Sequence, residues 1–254
     1  MSLTSEASTP TRIFHFAGWS TYLSAGLSII SGIFLFLFYA LEAPRMNAAD
    51  PNAPQVLGTL NDIATVFQML CMLPLAVALH RLAPPDRGGL SLTGAVIGVV
   101  GLLGVVIAQA LLVAKVLSFE VNLPIVMAAY GLFGVWVFMA NQLARTSGSL
   151  SSRLGRLGEA TGLAFILMSA IVLLVELINW RDPSALARFE AFVQKAPALI
   201  AVSIILAVPL ILAFFLAVPL WLIGLGRRLF AIGNSSAPAP GKSPIYSGAL
   251  EGQS

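Results

Sequence analysis

The sequence contains little charge. Lysine and arginine number 14 and aspartate and glutamate 11, so charged residues are 10% of the 254, against about 25% in soluble globular proteins. Hydrophobic residues make up 58%, and the mean hydropathy is +0.91. A soluble fold of this composition would leave large apolar areas facing water, and a disordered chain needs low hydrophobicity. Both classes are excluded, and the composition predicts a helical integral membrane protein.

The sequence is also poor in residues that bind metals or haem. His15 and His80 are the only histidines, and His15 precedes the first apolar segment, which argues against bis-histidine haem ligation inside a bundle. Cys71 is the only cysteine, so no intramolecular disulfide is possible. No HExxH motif, paired CxxC motif or phosphate-binding glycine loop occurs. We therefore expect no metal and no cofactor, and catalysis is the least supported class of function.

Six segments are long and apolar enough to cross a bilayer, which takes about 20 residues of helix. They lack the alternation of apolar and polar residues that barrel strands show. The segments are approximately 18–41, 63–82, 90–117, 123–143, 160–180 and 198–225. The sequence therefore predicts an all-α, polytopic membrane bundle of six transmembrane helices at 18–231. A cytoplasmic N-terminal segment, 1–17, precedes it, and a disordered cytoplasmic tail, 232–254, follows.

A different kind of segment, 182–195, precedes the last span. Asp182 is typical of a helix N-cap, and Pro183 of the first helical position. Leu186, Phe189 and Val193 then recur at helical spacing, with charged residues elsewhere on the helical wheel. This pattern predicts a short helix lying in the membrane interface.

The basic residues are divided unevenly between alternate loops. Nine fall on one side: Arg12, Arg81, Arg87, Arg145, Arg153, Arg156, Arg227, Arg228 and Lys242. Five fall on the other: Arg45, Lys115, Arg181, Arg188 and Lys195. Since short basic loops resist translocation, the first side is predicted to be cytoplasmic, with both termini inside a bacterial cytoplasmic (inner) membrane. The expected partners are the lipid bilayer and other membrane protein subunits; nothing indicates nucleic acid.

Small residues recur at helical spacing in the odd-numbered spans, where they allow helix backbones to approach closely. The three sets are Ser24, Ser28 and Gly32; Gly94, Gly98 and Gly101; and Gly158 and Gly162. We expect three helical hairpins, each pairing a small-residue helix with the bulkier helix after it. Low-complexity membrane sequence produces similar patterns by chance, and packing is the favoured role of these glycines over gating.

Polar residues inside membrane spans are costly and often functional. Five of them form the candidate intramembrane polar cluster: Asp62, Gln68, Gln109, Lys115 and Glu176. Asp62, or Asn61 beside it, is expected to cap the second span, although a functional carboxylate is the alternative. Lys115 either extends to the interface or lies near Glu176, Asp62 or both.

The two glutamines lie at matched depth if the second and third helices are antiparallel, since each is six residues inward of Asp62 or Lys115. An interhelical amide hydrogen bond is the simple interpretation, and a polar substrate site is the alternative. Asn141, Gln142 and His80 are expected at the cytoplasmic interface.

Five short stretches resemble a known pattern. They are 60–63, 78–82, 134–136, 154–158 and 221–227. Together they resemble a bacterial family of uncharacterised six-span integral membrane proteins, classed as a domain of unknown function. The resemblance covers nearly the whole chain, apart from segment 182–195 and the proline-rich tail. It implies the six-span fold and brings neither an activity nor binding residues.

Three functions remain open at this point. The first is a non-catalytic protein whose helices pack in the bilayer or in a larger membrane assembly. The second is a small-molecule or ion transporter, in which Asp62, Gln68, Gln109 and Glu176 face a common cavity. The third is a membrane sensor or regulatory subunit that uses Arg153 and Arg156 on the inner face. A water-accessible cavity reaching Gln68 or Gln109 would favour transport, and a closed seam of small residues would favour packing.

Overall fold

The described part of the chain consists of six long helices. A computed structural model describes residues 9–44, 55–182, 184 and 197–235, with side chains from 11 onward and, in the last range, from 215 onward. The helices are α1 (Thr9–Leu37, continued by a π-helical turn, Phe38–Glu42), α2 (Val56–Leu82), α3 (Gly88–Val113, after a 3-10 turn at Pro85–Arg87), α4 (Phe119–Thr146), α5 (Ser152–Arg181) and α6 (Pro197–Ser235). All six are long and apolar enough to cross a membrane, and the described ranges contain no strand. The predicted all-α, six-span, multi-pass class is confirmed.

The helices extend beyond the apolar segments. α1 begins at Thr9 rather than near Gly18, α2 begins at Val56, and α6 continues to Ser235. Hydropathy locates the part of a helix that lies in hydrocarbon, whereas the backbone continues to form helix into the interface. The early start of α1 contributes to the core, because Phe14 and Ala17 are buried.

Some predicted features fall outside the described residues. These are most of the interfacial segment 182–195 and the part of the predicted tail from 236 to 254. At the start of the interfacial segment, the Ser184 backbone N–H donates to Asp182 Oδ1 at 3.1 Å. This hydrogen bond is of the N-cap type that was predicted for Asp182.

Successive helices from α1 to α5 pack side by side, and α6 returns to α1. The six antiparallel helices give the bundle two ends. The terminal end carries the start of α1, the end of α6 and the connections between α2 and α3 and between α4 and α5. The distal end carries the end of α1, the start of α2, the connection between α3 and α4, the end of α5 and the start of α6. At the closure of the ring, a Cβ placed on Gly18 would lie 2.8 Å from the Phe230 ring, and one on Gly226 would lie 3.2 Å from Gly18 O.

Glycines of α3 and α5 face α4 from its two sides. A Cβ on Gly101 would lie 2.7 Å from Phe133 N, and one on Gly162 would lie 2.5 Å from Phe138 N. A Cβ on Gly134 of α4 would in turn lie 2.8 Å from Gly162 O. The backbones of α3, α4 and α5 are thus in direct contact, which confirms close packing as the role of these glycines. We call this contact the glycine seam.

The expectation of three independent hairpins needs correction for the third pair. The α5 glycines face α4 and not α6, and α6 packs mainly on α1, with a smaller contact to α5 in which Leu154 meets Gly224. The spacing of small residues predicts that a helix makes a close contact. It does not specify which helix makes that contact, because the helices on either side of a span could both pack against its small residues.

Burial is unevenly distributed along the helices. In α5 the last buried residue is Ser169, and every residue from Ala170 to Arg181 is exposed or half-buried. In α1 the last buried residue is Ala25. In α2, α3 and α4 the buried positions extend over most of the helix length. The helices α1 and α5 are therefore enclosed near the terminal end and much less so towards the distal end.

Candidate polar site in the membrane-spanning helices

The N-terminus of α2 is capped by Glu42, which lies in the π-helical turn that ends α1. The Glu42 carboxylate accepts the Leu57 N–H at 3.0 and 3.1 Å and the Gly58 N–H at 3.4 Å. The N-cap residue itself, Gln55, provides no side-chain bond. The prediction that Asn61 or Asp62 caps this helix is wrong, because α2 begins at Val56, more than one turn before them.

Asp62 instead belongs to a group of polar side chains between α1 and α2. Ser31 Oγ donates to Asn61 Oδ1 at 2.6 Å and lies 3.1 Å from Thr65 Oγ1. Asn61 Nδ2 donates to Asp62 Oδ1 at 3.3 Å. Thr65 is buried, and the other three side chains are half-buried. We call Ser31, Asn61, Asp62 and Thr65 the Asp62 cluster.

The Asp62 carboxylate has no cationic partner within the described ranges. The salt bridges there join Arg87 to Asp86 and Arg145 to Glu159, both at the terminal end. Lys115, the predicted partner, forms no ion pair in this part of the chain and is exposed. Within the described ranges, Lys115 therefore makes no ion pair with Asp62 or Glu176.

The reason lies in the way that α3 ends. Lys115 has a φ of 58°, its N–H bonds to Leu112 O, and the Val116 N–H bonds to Leu111 O, both at 2.9 Å. These two bonds form a Schellman motif, with Lys115 in the left-handed position that glycine usually occupies. Lys115 thus lies beyond the last turn of α3, in the C-terminal cap, and its side chain does not lie on the α3 helix surface.

The two glutamines are buried but do not bond to each other. Gln109 Oε1 accepts a hydrogen bond from Asn122 Nδ2 of α4 at 3.3 Å, and the Gln68 backbone oxygen accepts one from Ser24 Oγ of α1 at 3.3 Å. An interhelical amide bond was predicted correctly for Gln109, but its partner is Asn122. The side-chain oxygen of Asn122, Oδ1, is buried and has no hydrogen-bond partner among the described residues.

Glu176 lies on the part of α5 that has no buried residue. It is half-buried between exposed Val175 and Leu177, and it forms no hydrogen bond or ion pair with the described residues. In the described ranges, no hydrogen bond or ion pair joins any two of the five candidates. Asp62 accepts a hydrogen bond from Asn61 in the Asp62 cluster, and Gln109 accepts one from Asn122. Lys115 and Glu176 form no ion pair in these ranges.

The terminal end contains a polar contact that sequence reasoning misplaced. Asn141 is fully buried, and the expectation that it meets the interface is wrong. Its Nδ2 donates to Val137 O at 2.8 Å, and its Oδ1 accepts from Trp221 Nε1 at 3.0 Å. Gly158 of α5 packs directly against the Asn141 side chain. This contact joins α4, α5 and α6. Gln142 is exposed, as expected.

Further bonds hold the helix ends and loops together nearby. Arg145 Nε donates to Glu159 Oε1 at 2.6 Å, and the Arg145 side chain lies over Gly155. Arg228 Nε donates to Ser149 O at 2.9 Å, while Ser149 Oγ donates to Leu82 O at 3.1 Å. The ends of α2, α4, α5 and α6 are therefore fastened to one another at the terminal end.

His80 is half-buried rather than simply exposed at an interface. Its Nδ1 lies 2.9 Å from Ser91 Oγ, and the two side chains line a cavity of about 10 Å³, room for the centre of roughly one water molecule. Trp136 and Leu143 also line this cavity, whereas Gln68 and Gln109 do not. Within the described ranges, no three His, Cys, Asp or Glu side chains are grouped so as to hold a metal ion.

No family model, curated protein or solved structure matches this chain. The resemblance to the uncharacterised bacterial six-span family remains a prediction.

Proposed function

We propose that this chain is a non-catalytic integral membrane protein that serves as a structural or accessory component, packing in the bilayer or within a larger membrane assembly. The observation that carries the proposal is the glycine seam. Gly101, Gly134 and Gly162 allow the backbones of α3, α4 and α5 to touch. This contact leaves no space for a permeation path between the three helices. A seam of this kind suits a rigid packing unit better than a helix set that moves.

The transport alternative requires water to reach the buried amides. Gln68 and Gln109 are 7% and 8% exposed, and neither lines the small cavity beside His80. This argues for packing and against a permeation path between α2, α3 and α4.

A surface that could face other subunits is present on α5. Beyond Ser169 this helix exposes a series of large apolar side chains: Ile171, Leu174, Val175, Leu177, Ile178 and Trp180. Lipid covers such a surface in an isolated protein, and another membrane protein covers it in an assembly. An accessory role requires a lateral surface of this kind.

We further propose that the protein lies in a bacterial inner membrane and that both chain ends are in the cytoplasm. The support is the position of the exposed arginines at the terminal end, which are Arg12, Arg81, Arg87, Arg153, Arg156, Arg227 and Arg228. The described basic residues of the distal end are Lys115 and Arg181. The positive-inside rule then orients the bundle.

Cysteine labelling in membranes tests the packing role against transport. In a Cys71→Ala background, we expect Gln68→Cys and Gln109→Cys to resist a membrane-impermeant maleimide added to either side. Lys115→Cys is the matched control and should react from the distal side, because Lys115 is exposed. Rapid labelling of position 68 or 109 in the folded protein would contradict the packing role and favour a water-filled path.

A further inference from the structure

The Asp62 cluster presents oxygen atoms without a balancing positive charge. Its members supply two hydroxyl oxygens, an amide oxygen and a carboxylate, and the contacts that link them span 2.6 to 3.3 Å. The described ranges contain no salt bridge to Asp62. A carboxylate within a membrane span is costly unless a positive charge neutralises it.

Hydrogen-bond donors within the cluster do not meet this need. The Ser31 hydroxyl proton is given to Asn61 Oδ1, so it is not available to Asp62. The bond that reaches Asp62 is the one from Asn61 Nδ2, at 3.3 Å. An ionised carboxylate offers about four acceptor positions, which leaves most of them without a donor from the cluster.

The helix dipole does not compensate either. The first N–H groups of α2 are already occupied by the Glu42 carboxylate. Asp62 lies five residues after Leu57, roughly 8 Å further along the helix axis, and the dipole effect falls off within the first turn. Two carboxylates, Glu42 and Asp62, therefore lie on this side of the bundle without a basic partner in the described ranges.

We propose that the Asp62 cluster binds a small monovalent cation of the sodium type. Oxygen-only ligands suit hard cations. A single carboxylate within the cluster gives a neutral complex with a monovalent ion. Magnesium is disfavoured because it retains its water and requires near-ideal octahedral geometry. Sodium is smaller and harder than potassium, which favours it beside a carboxylate ligand. Rotation of the Ser31 and Thr65 hydroxyl groups turns their lone pairs towards the ion in place of the hydrogen bonds that they make with Asn61 and with each other.

The position of the cluster makes this a site that clamps two helices. Ser31 comes from α1 and the other ligands from α2, so a bound ion joins the distal parts of these helices. One further turn towards the terminal end, Gln68 and Met69 are buried, and Ser24 bonds to the Gln68 backbone oxygen. The ion therefore enters and leaves from the distal side, and its role is to stabilise the α1–α2 pair. This role holds whether or not the chain works within a larger assembly.

Thermal unfolding of the purified full chain in detergent tests the site. Sodium chloride is raised from about 1 to about 300 mM, with choline chloride holding the ionic strength constant. We expect a saturable rise in Tm of about 2–6 °C, and a smaller rise with potassium. Binding of ²²Na⁺ to the same preparation, measured by scintillation proximity, provides a second readout.

Variants separate the site from general salt effects. Asp62→Asn is close in shape and should abolish both the sodium-dependent shift and ²²Na⁺ binding while the protein still folds. Ser31→Ala should weaken sodium binding several-fold. Glu176→Gln, which removes a carboxylate outside the cluster, should leave both readouts unchanged. An equal shift in Asp62→Asn, an equal response to potassium, or a Tm that depends on pH through Asp62 but not on sodium would each overturn the proposal.

Discussion

The two ends of the bundle are held together in different ways. At the terminal end, Asn141 bonds to Trp221, Arg145 to Glu159, and Arg228 to Ser149, so contacts from several helices meet in one region. Towards the distal end, the polar contacts join helices in pairs, α1 with α2 and α3 with α4. The buried oxygens of Asn122 and Ser169 have no hydrogen-bond partner in the described ranges.

This difference follows from what drives helix association in lipid. Apolar side chains gain little by leaving lipid for another helix, so tight contact depends on small residues and on interhelical hydrogen bonds. Gly155, Gly158 and Gly162 supply the small residues in the first half of α5, and no buried residue follows Ser169 in its second half. We therefore expect the terminal end to be the more stable part of the fold, and the proposed ion site lies towards the distal end.

The largest effect is expected at the glycine seam. Gly162→Ala places a Cβ 2.5 Å from Phe138 N, so α4 and α5 must separate, and we expect a loss of about 3 kcal/mol in the free energy of unfolding. Gly26→Ala on α1 is the matched control, because no atom lies within 4 Å of the added Cβ. SDS titration in mixed micelles measures both. Equal stability of the two variants would mean that the backbones are not in contact.

Two buried asparagines allow a direct comparison of the ends. Asn141→Leu leaves the Trp221 N–H without its acceptor, at an expected cost of about 1–3 kcal/mol. Asn122→Leu leaves Gln109 Oε1 without its donor, but it removes only one 3.3 Å bond and also eliminates a buried oxygen that has no partner among the described residues. The net cost should therefore be smaller, about 0.6 kcal/mol or less. The same SDS titration compares them. A larger loss for Asn122→Leu would reverse the ranking of the two ends.

The cap between α1 and α2 should have an intermediate effect. Glu42→Ala removes the acceptor for the Leu57 and Gly58 N–H groups, and we expect a loss of about 1 kcal/mol. Glu42→Gln keeps a side-chain oxygen and should retain part of the stability. Hydrogen exchange at the first turn of α2 should accelerate in Glu42→Ala. Unchanged exchange there would show that water caps the helix equally well.

A small, stabilising effect is expected where α3 ends. Lys115 has a φ of 58°, which a side chain disfavours and glycine tolerates. Lys115→Gly should therefore raise the free energy of unfolding by about 0.5–1 kcal/mol, whereas Lys115→Val should lower it. If Lys115→Gly were the less stable variant, the Lys115 side chain would have a stabilising contact of its own at the distal end.

The fold was predictable from sequence to the extent that lipid dictates it. A bilayer requires long apolar helices, so the number and type of elements follow from hydropathy. Glycine spacing predicted close contact, but nothing in the spacing of Gly158 and Gly162 specifies α4 rather than α6 as their neighbour. The return of α6 to α1 depends on matching surfaces far apart in the chain, which no local pattern encodes.

The sequence predicted which polar residues lie within the spans more successfully than it predicted their hydrogen-bond partners. Asp62 and Gln109 were identified because polar residues stand out within apolar spans, yet their hydrogen-bond partners, Asn61 and Asn122, were not predicted as such. The capping role of Glu42 was not predicted, because no local pattern joins Glu42 to the N–H groups of Leu57 and Gly58. Asn141 was placed at the interface because it lies near the predicted cytoplasmic end of the fourth span, although its side chain bonds to Trp221.

The closure of the ring between α1 and α6 bears on biosynthesis. Gly18 contacts Gly226 and Phe230, residues that leave the ribosome some two hundred positions later. At about 5–20 residues per second, the first helix waits on the order of ten seconds or more for the neighbour that covers it. During that interval the face of α1 that contains Gly18 is accessible to chaperones, to the insertion machinery or to the corresponding helix of another nascent chain.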